Sequence, residues 1–113
     1  METVEDRSNL YRVSGRTTHA ERPGFRINEV KLSSTQIVPW HYHHHVQDSF
    51  YVLEGKLKLH LRNPDEELIL EPCGTYSVAA CRPHKVSNAG AGDLIFLVLQ
   101  GIGHYDFVPL TDG

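Results

Sequence analysis

The sequence predicts an all-β domain, a sandwich or barrel of short strands, on three observations. Leu57, Leu59 and Leu61 alternate with Lys56, Lys58, His60 and Arg62, the two-residue period of a half-buried strand. Turn residues recur at regular spacing: Glu54-Gly55, Asn63-Pro64-Asp65, Pro72-Cys73-Gly74 and the AGAGD run at 89–93. No stretch carries apolar residues at the i, i+3, i+4 spacing of an amphipathic helix. At 113 residues the chain suits a single domain, 1–113, that buries about two-thirds of its unfolded surface around one core.

The elements follow in order. Residues 1–8 are charged and poor in apolar side chains, which predicts a frayed lead-in, and residues 10–14 a short strand able to pair with another subunit. Residues 25–32 interleave Phe25, Ile27, Val30 and Leu32 with polar residues, and the phase slips near Asn28, which predicts a bulge. Residues 36–43 read as a strand broken by Pro39, which cannot donate to a ladder. Residues 50–53, 56–62, 66–71 and 75–80 supply further strands, and His84, Val86 and Asn88 share a face of the next. Residues 94–99 are apolar at every position, so both faces of that strand are expected to be covered. Gly101 and Gly103 end it, and the tail at 104–113 keeps Tyr105, Phe107 and Val108, enough to dock on the body.

Charge and composition exclude several classes. A net charge of −3 and a pI near 6.2 offer no basic field for phosphate backbones, so nucleic acid is not an expected partner. The N-terminus METVEDRSNL lacks the basic start and apolar stretch of a signal peptide, and the run at 94–99 is too short to span a bilayer. The reading is a cytoplasmic protein with no membrane partner. Two cysteines, Cys73 and Cys81, form no CxxC pair and are expected as free thiols.

The chemistry concentrates in WHYHHHVQDSFYVLEG, residues 40–55, where His41, His43, His44 and His45 crowd together. In a strand, residues two apart share a face, so His41 and His43 present two imidazoles side by side while Tyr42 and His44 point away. Asp48 follows, and His84 is the one later histidine at a strand entry behind a turn. His41-Tyr42-His43, four residues, Asp48, six residues and Gly55 make the stretch similar to the first motif of the cupin superfamily: HxH, three or four residues, Glu, six residues, Gly. The second family motif is G, five residues, PxG, two residues, H, three residues, N. Here Gly74 is followed by one residue fewer, Ala79 and Cys81 stand in place of the proline and glycine, and His84 and Asn88 close the motif.

That resemblance, over roughly residues 25–101, implies a jelly-roll barrel with one divalent transition metal held by His41, His43, the acidic Asp48 and His84. Three imidazoles and a carboxylate suit Fe, Mn, Ni, Co, Cu or Zn, and ligand type alone does not choose among them. Asp48 is one methylene shorter than the family's glutamate, so the fourth ligand is left between Asp48 and His45, which shares the parity of His41 and His43. His45 and Tyr76 are candidate proton-transfer groups. Parity also assigns Phe50, Val52, Val78, Phe96 and Val98 to a substrate pocket, with Gln36 and Trp40 near its entrance. Asn88 is expected to hold a turn, and His19, His60 and His104 to lie at the surface.

The functional expectation is a metal-dependent cupin enzyme acting on a small organic molecule, with a dioxygenase-type oxidoreductase as the leading class. A cupin isomerase, lyase or cyclase and a non-catalytic cupin that binds a sugar or metabolite are the alternatives. A homodimer is expected because a small barrel with an N-terminal strand leaves edges to cover.

Overall fold

The structure, a computed structural model, describes residues 11–110; the expected lead-in at 1–8, Leu10 and the last three residues of the tail lie outside the described residues. Among the described residues ten strands follow one another: β1 (Gly15–Arg22), β2 (Phe25–Leu32), β3 (Ile37–Tyr42), β4 (Gln47–Glu54), β5 (Leu57–Leu61), β6 (Glu66–Leu70), β7 (Thr75–Val78), β8 (His84–Asn88), β9 (Leu94–Gly101) and β10 (Val108–Pro109). They form two five-stranded sheets, ordered β1-β2-β9-β4-β7 and β10-β3-β8-β5-β6, with antiparallel pairing throughout.

The all-β expectation holds, but the expected jelly-roll barrel does not form. Neither sheet closes on itself: β1, β7, β10 and β6 each hydrogen-bond to a single neighbour, leaving two open sheets. The strands at the would-be seams are poor in ladder donors. β10 is two residues long and ends in Pro109, which has no N–H to extend a ladder. The chain crosses from β6 to β7 through Glu71-Pro72-Cys73-Gly74, where Pro72 again lacks a donor. There the Cys73 N–H turns to the carbonyl of Val52 in β4 and the Gly74 N–H to that of Glu71, closing a turn.

The core lies between the sheets. Val30, Leu32, Phe50, Val52, Phe96 and Val98 from the first sheet meet Leu57, Leu59, Leu61 and Val86 from the second. The alternation in β5 is realised, with its three leucines buried. In β9, Leu94, Phe96, Val98 and Gln100 are buried while Ile95, Leu97 and Leu99 are only half-buried. The second face of that strand is therefore not covered as its sequence suggested, because among the described residues no further layer packs on it. Full burial of a side chain such as Phe96 contributes about 1.5–3 kcal/mol.

Two irregularities shape the end where the histidines lie. β2 pairs with β9 without a register shift, and the bulge expected near Asn28 sits across from it on β1, between Thr18 and Ala20. Asn28 itself is buried and accepts a hydrogen bond from the Thr18 hydroxyl at 2.8 Å. In β3 the register shifts between Val38 and His41, around Pro39, as its missing donor predicts. Among the described residues the first strand begins at Gly15, and residues 11–14 of the strand expected at 10–14 are not in strand; as an edge strand with mostly polar side chains β1 carries no apolar alternation to announce it.

Candidate metal centre

Strands from both sheets bring four side chains to one end of the sandwich. His41 lies in β3, directly opposite His84, the first residue of β8. The bulge at Pro39 lets Val38 and His41, three residues apart, both be buried. His43 follows just past the end of β3. Asp48 is the second residue of β4, opposite Val78 of β7 and Gln100 of β9. All four are buried, and one ligand atom from each lies within 4.8 Å of the others.

The histidines are held in one tautomer. The Nδ1–H groups of His41, His43 and His84 donate to the backbone carbonyls of Pro39, Asp106 and Arg82 respectively. In each neutral ring Nε2 therefore carries the lone pair, and the three Nε2 atoms face the Asp48 carboxylate. Asp48 Oδ2 is 2.9 Å from the Nε2 atoms of His43 and His84 and 4.0 Å from that of His41. Lone pairs facing a carboxylate repel one another unless a proton or a cation stands among them. Two donors about 2.1 Å from one ion are separated by about 3.0 Å at right angles and about 4.2 Å across it, so these separations fit a shared divalent ion. Imidazoles oriented by backbone carbonyls are the usual support of such a site. The cluster is a His₃Asp set capable of coordinating a divalent transition metal.

The ionisation of the cluster follows the same geometry. Burial alone would push the His43 imidazole down, but the Asp48 charge and hydrogen bond outweigh it and raise His43 above its ordinary value. Burial would raise Asp48, yet the pairing with His43 and His84 holds its carboxyl well below the usual range. His41 is driven well below the ordinary imidazole value, first by burial and then by charge on His84 and His43. The surroundings thus favour the charged forms of Asp48 and His43 and the neutral form of His41.

A polar row supports the short carboxylate. Arg26, Gln100 and Asp48 stand in direct register across β2, β9 and β4. Arg26 Nε donates to Gln100 Oε1 at 2.9 Å, and Gln100 Nε2 donates to Asp48 Oδ1 at 2.9 Å. Oδ1 is thereby held by Gln100 while Oδ2 is left to the histidines. The Arg26 guanidinium lies 3.5 Å from the centre of the Tyr105 ring.

The tail closes the same end. Phe107 stacks on His41, with ring centroids 4.4 Å apart and planes 17° apart. The Asp106 carbonyl accepts the hydrogen bond from His43 Nδ1–H, and its carboxylate accepts the backbone N–H of His44 at 2.9 Å and contacts the His44 ring. The turn before His84 is held by Cys81, whose φ of 70° is a glycine-like conformation at the place of the missing glycine. Cys81 N–H donates to the His43 carbonyl at 2.7 Å. The Arg82 side chain ties this turn to the carbonyls of Arg62 and Pro64, to Glu66 and to the Tyr76 hydroxyl.

The remaining candidates are scattered. Phe50, Phe96 and Val98 line a cavity of about 30 Å³ beside the cluster, about the liquid volume of one water molecule. Val52 and Val78 are fully buried in the core. Gln36 is bound through its Oε1 to Ser14 and Ser33. Trp40 packs beneath Arg62, whose guanidinium is 3.9 Å from the ring centre, with Lys85 at 5.6 Å. His45 is exposed, outside the group of four, and Tyr76 is half-buried against Arg82. Asn88 bonds Leu32, Gly90 and Gly92 around the loop after β8. Sequence reasoning missed Gln100, although the parity of Leu94, Phe96 and Val98 carries on to it. It also missed Asp106, which no local signal ties to His43.

The sequence matches the cupin-domain family over residues 28–100. No curated protein matches it significantly. Among solved structures it resembles an uncharacterized conserved protein with a double-stranded beta-helix domain from Klebsiella pneumoniae, at 21% identity and a TM-score of 0.75, covering 86% of this chain and 79% of that one. It resembles the Cnp3 cupin domain of Schizosaccharomyces pombe at 17% identity and a TM-score of 0.70, covering 78% and 64%. It also resembles the oxalate decarboxylase of Lactobacillus farciminis, solved as a formate complex, at 16% identity and a TM-score of 0.70; the match covers 83% of this chain and 33% of that one. At these identities the likeness is one of fold.

Proposed function

The chain belongs to the cupin family, and on that premise we propose that it is a metal-dependent enzyme acting on a small organic molecule, with a dioxygenase-type oxidation as the leading reaction. The observation that carries this reading is the convergence of three Nε2 lone pairs and the Asp48 carboxylate within 4.8 Å, each imidazole oriented by a backbone carbonyl. When bound there, a divalent transition metal supplies Lewis acidity toward a substrate oxygen and, if redox-active, a route to dioxygen.

The residues of the chain do the rest. His41, His43, His84 and Asp48 hold the ion, and Gln100 fixes the carboxylate. Phe50, Phe96 and Val98 supply part of the apolar lining of the cavity beside the cluster. His45 and Tyr76, exposed and half-buried, remain the proposed proton-transfer groups. The exposed thiols Cys73 and Cys81 suit a reducing compartment such as the cytoplasm. The open sheet edges and the exposed Tyr51 and Leu53 on β4 support a homodimer.

The test is metal analysis of protein purified without a histidine tag, followed by oxygen uptake with enediols, flavonols and 1,3-diketones. Stoichiometric metal with turnover supports the enzyme. Ligand-induced thermal shifts without turnover under any metal would replace it with the binding-protein reading.

A further inference from the structure

The cavity beside the cluster, about 30 Å³, has room for about one water molecule, so a substrate needs another place to lodge. A larger cavity of about 410 Å³ opens between the β1–β2 turn and the segment after β9, lined in part by Arg22, Phe25, Arg26 and His104. Gln100 and Tyr105 line both cavities and so form the wall between them. Gln100 is fixed from both sides, accepting from Arg26 and donating to Asp48 at 2.9 Å each. Tyr105 is held differently. It lies in the strandless connection 102–107 between β9 and β10. That connection is tied on one side of it by the Gly103 N–H, which donates to the Gly24 carbonyl at 2.9 Å, and on the other by the Asp106 carbonyl, which accepts from His43. The Arg26 guanidinium lies 3.5 Å from the centre of the Tyr105 ring, and the His43 ring lies 5.4 Å from it, tilted by 39°.

We propose that the Tyr105 side chain is the gate between the larger cavity and the cluster, and that its bulk decides which molecules reach the metal ligands. The inference rests on the metal-dependent reading above. Rotating the ring about its side-chain bonds leaves the ties at Gly103 and Asp106 in place, joins the two cavities and adds the ring's own volume to the smaller one. The other walls do not yield in this way: Phe50, Phe96 and Val98 belong to central strands and pack in the core. The contacts that hold the ring over the cluster are a cation against an aromatic face and a tilted pair of rings. Both are attractions of modest strength with broad angular preference, so the closed position is favoured and can still be left. A Tyr105 that merely packed the tail against the body would have no influence on the size of molecule admitted.

The experiment follows the visible absorption of the cobalt(II)-loaded full chain in a stopped-flow instrument after mixing with azide, a small ligand, or with 4-phenylimidazole, a bulky one. A closed gate that opens as a minor state slows entry in proportion to the fraction open, so Tyr105→Ala should speed 4-phenylimidazole binding about tenfold or more and azide binding far less. Tyr105→Trp, with a larger plug, should slow 4-phenylimidazole, and Tyr105→Phe should match the parent. If the alanine variant does not fold, Tyr105→Leu carries the same expectation. An unchanged 4-phenylimidazole rate in the alanine or leucine variant would overturn the gate. So would an equal rise for both ligands, the mark of a tail that has come loose, or a faster rate in Tyr105→Trp. In each of these cases cobalt is still bound and the metal reading stands. A parent that takes up no cobalt would overturn that reading and the gate together.

Discussion

Replacing Gln100 by leucine should weaken metal binding while leaving the domain folded. Gln100 is buried at the centre of the Arg26–Gln100–Asp48 row, donating to Asp48 Oδ1 at 2.9 Å and accepting from Arg26 Nε at 2.9 Å. Leucine keeps approximately the volume and removes both bonds. A hydrogen bond to a charged group contributes about 1.5–3 kcal/mol, and each 1.4 kcal/mol is about tenfold in affinity. If that interaction is lost only from the metal-binding geometry, the dissociation constant should rise roughly 10- to 100-fold, which is also the usual effect of removing a partner that orients a metal ligand. Competition against a chromophoric zinc chelator, read beside a thermal melt of the metal-free protein, measures both quantities. A leucine variant that binds zinc within about twofold of the parent, with an unchanged melt, would refute the argument that Gln100 sets the carboxylate.

His41→Ala and His84→Ala should each abolish near-stoichiometric metal in the purified protein, and equal metal in both variants and the parent would remove the site. Asp48→Ala should do the same; full retention would pass the fourth position to His45 or water. For the metal-free protein the pH signs follow from the shifts. His41, whose folded value is depressed, contributes stability above an unfolded pKa of about 6.5 that is lost as the pH falls below it. Asp48, also depressed, adds a second loss below about 3.9. His43 is raised, so its contribution is full below about 6.5 and disappears as the pH rises through its folded value. Urea denaturation across pH checks this, and an Asp48→Asn variant that keeps the lower step would contradict it. Gly55→Ala should cost at least about 1–3 kcal/mol, because φ is 86° and the new Cβ would meet the Asp93 carbonyl oxygen at 2.5 Å; a variant melting with the parent would show that the turn can shift.

What could be read from the sequence was whatever repeats within a strand or a motif. The two-residue period placed Leu57, Leu59 and Leu61 in the core, and the same period placed His41 and His43 on one side of their segment. Pro39 was legible as a ladder defect because it lacks a donor, and the defect turned out to decide which residues of β3 face inward. Closure was not legible. Whether a sheet seals depends on hydrogen bonds between strands far apart in the chain, and no local signal shows that β1, β7, β10 and β6 each keep a single neighbour. The length of the Asp48 side chain was legible but its reach was not, since that is set by Gln100, 52 residues away. Trp40 belongs to the same class: its residue type suggested a pocket entrance, and the bulge beside it together with Arg62 and Lys85 gives it different neighbours.

The contact between the tail and the first histidine segment bears on the order in which the centre can be made. Synthesis delivers all four candidate ligands by the time His84 has emerged, yet the carbonyl that orients His43 belongs to Asp106, 63 residues later, and the ring that stacks on His41 belongs to Phe107. A growing chain that ends anywhere between them has its ligands with two of the three rings incompletely constrained. Full orientation of the His41 and His43 rings then waits for residues 106 and 107, and a truncation ahead of Tyr105 should bind metal more weakly while most of both sheets is still encoded.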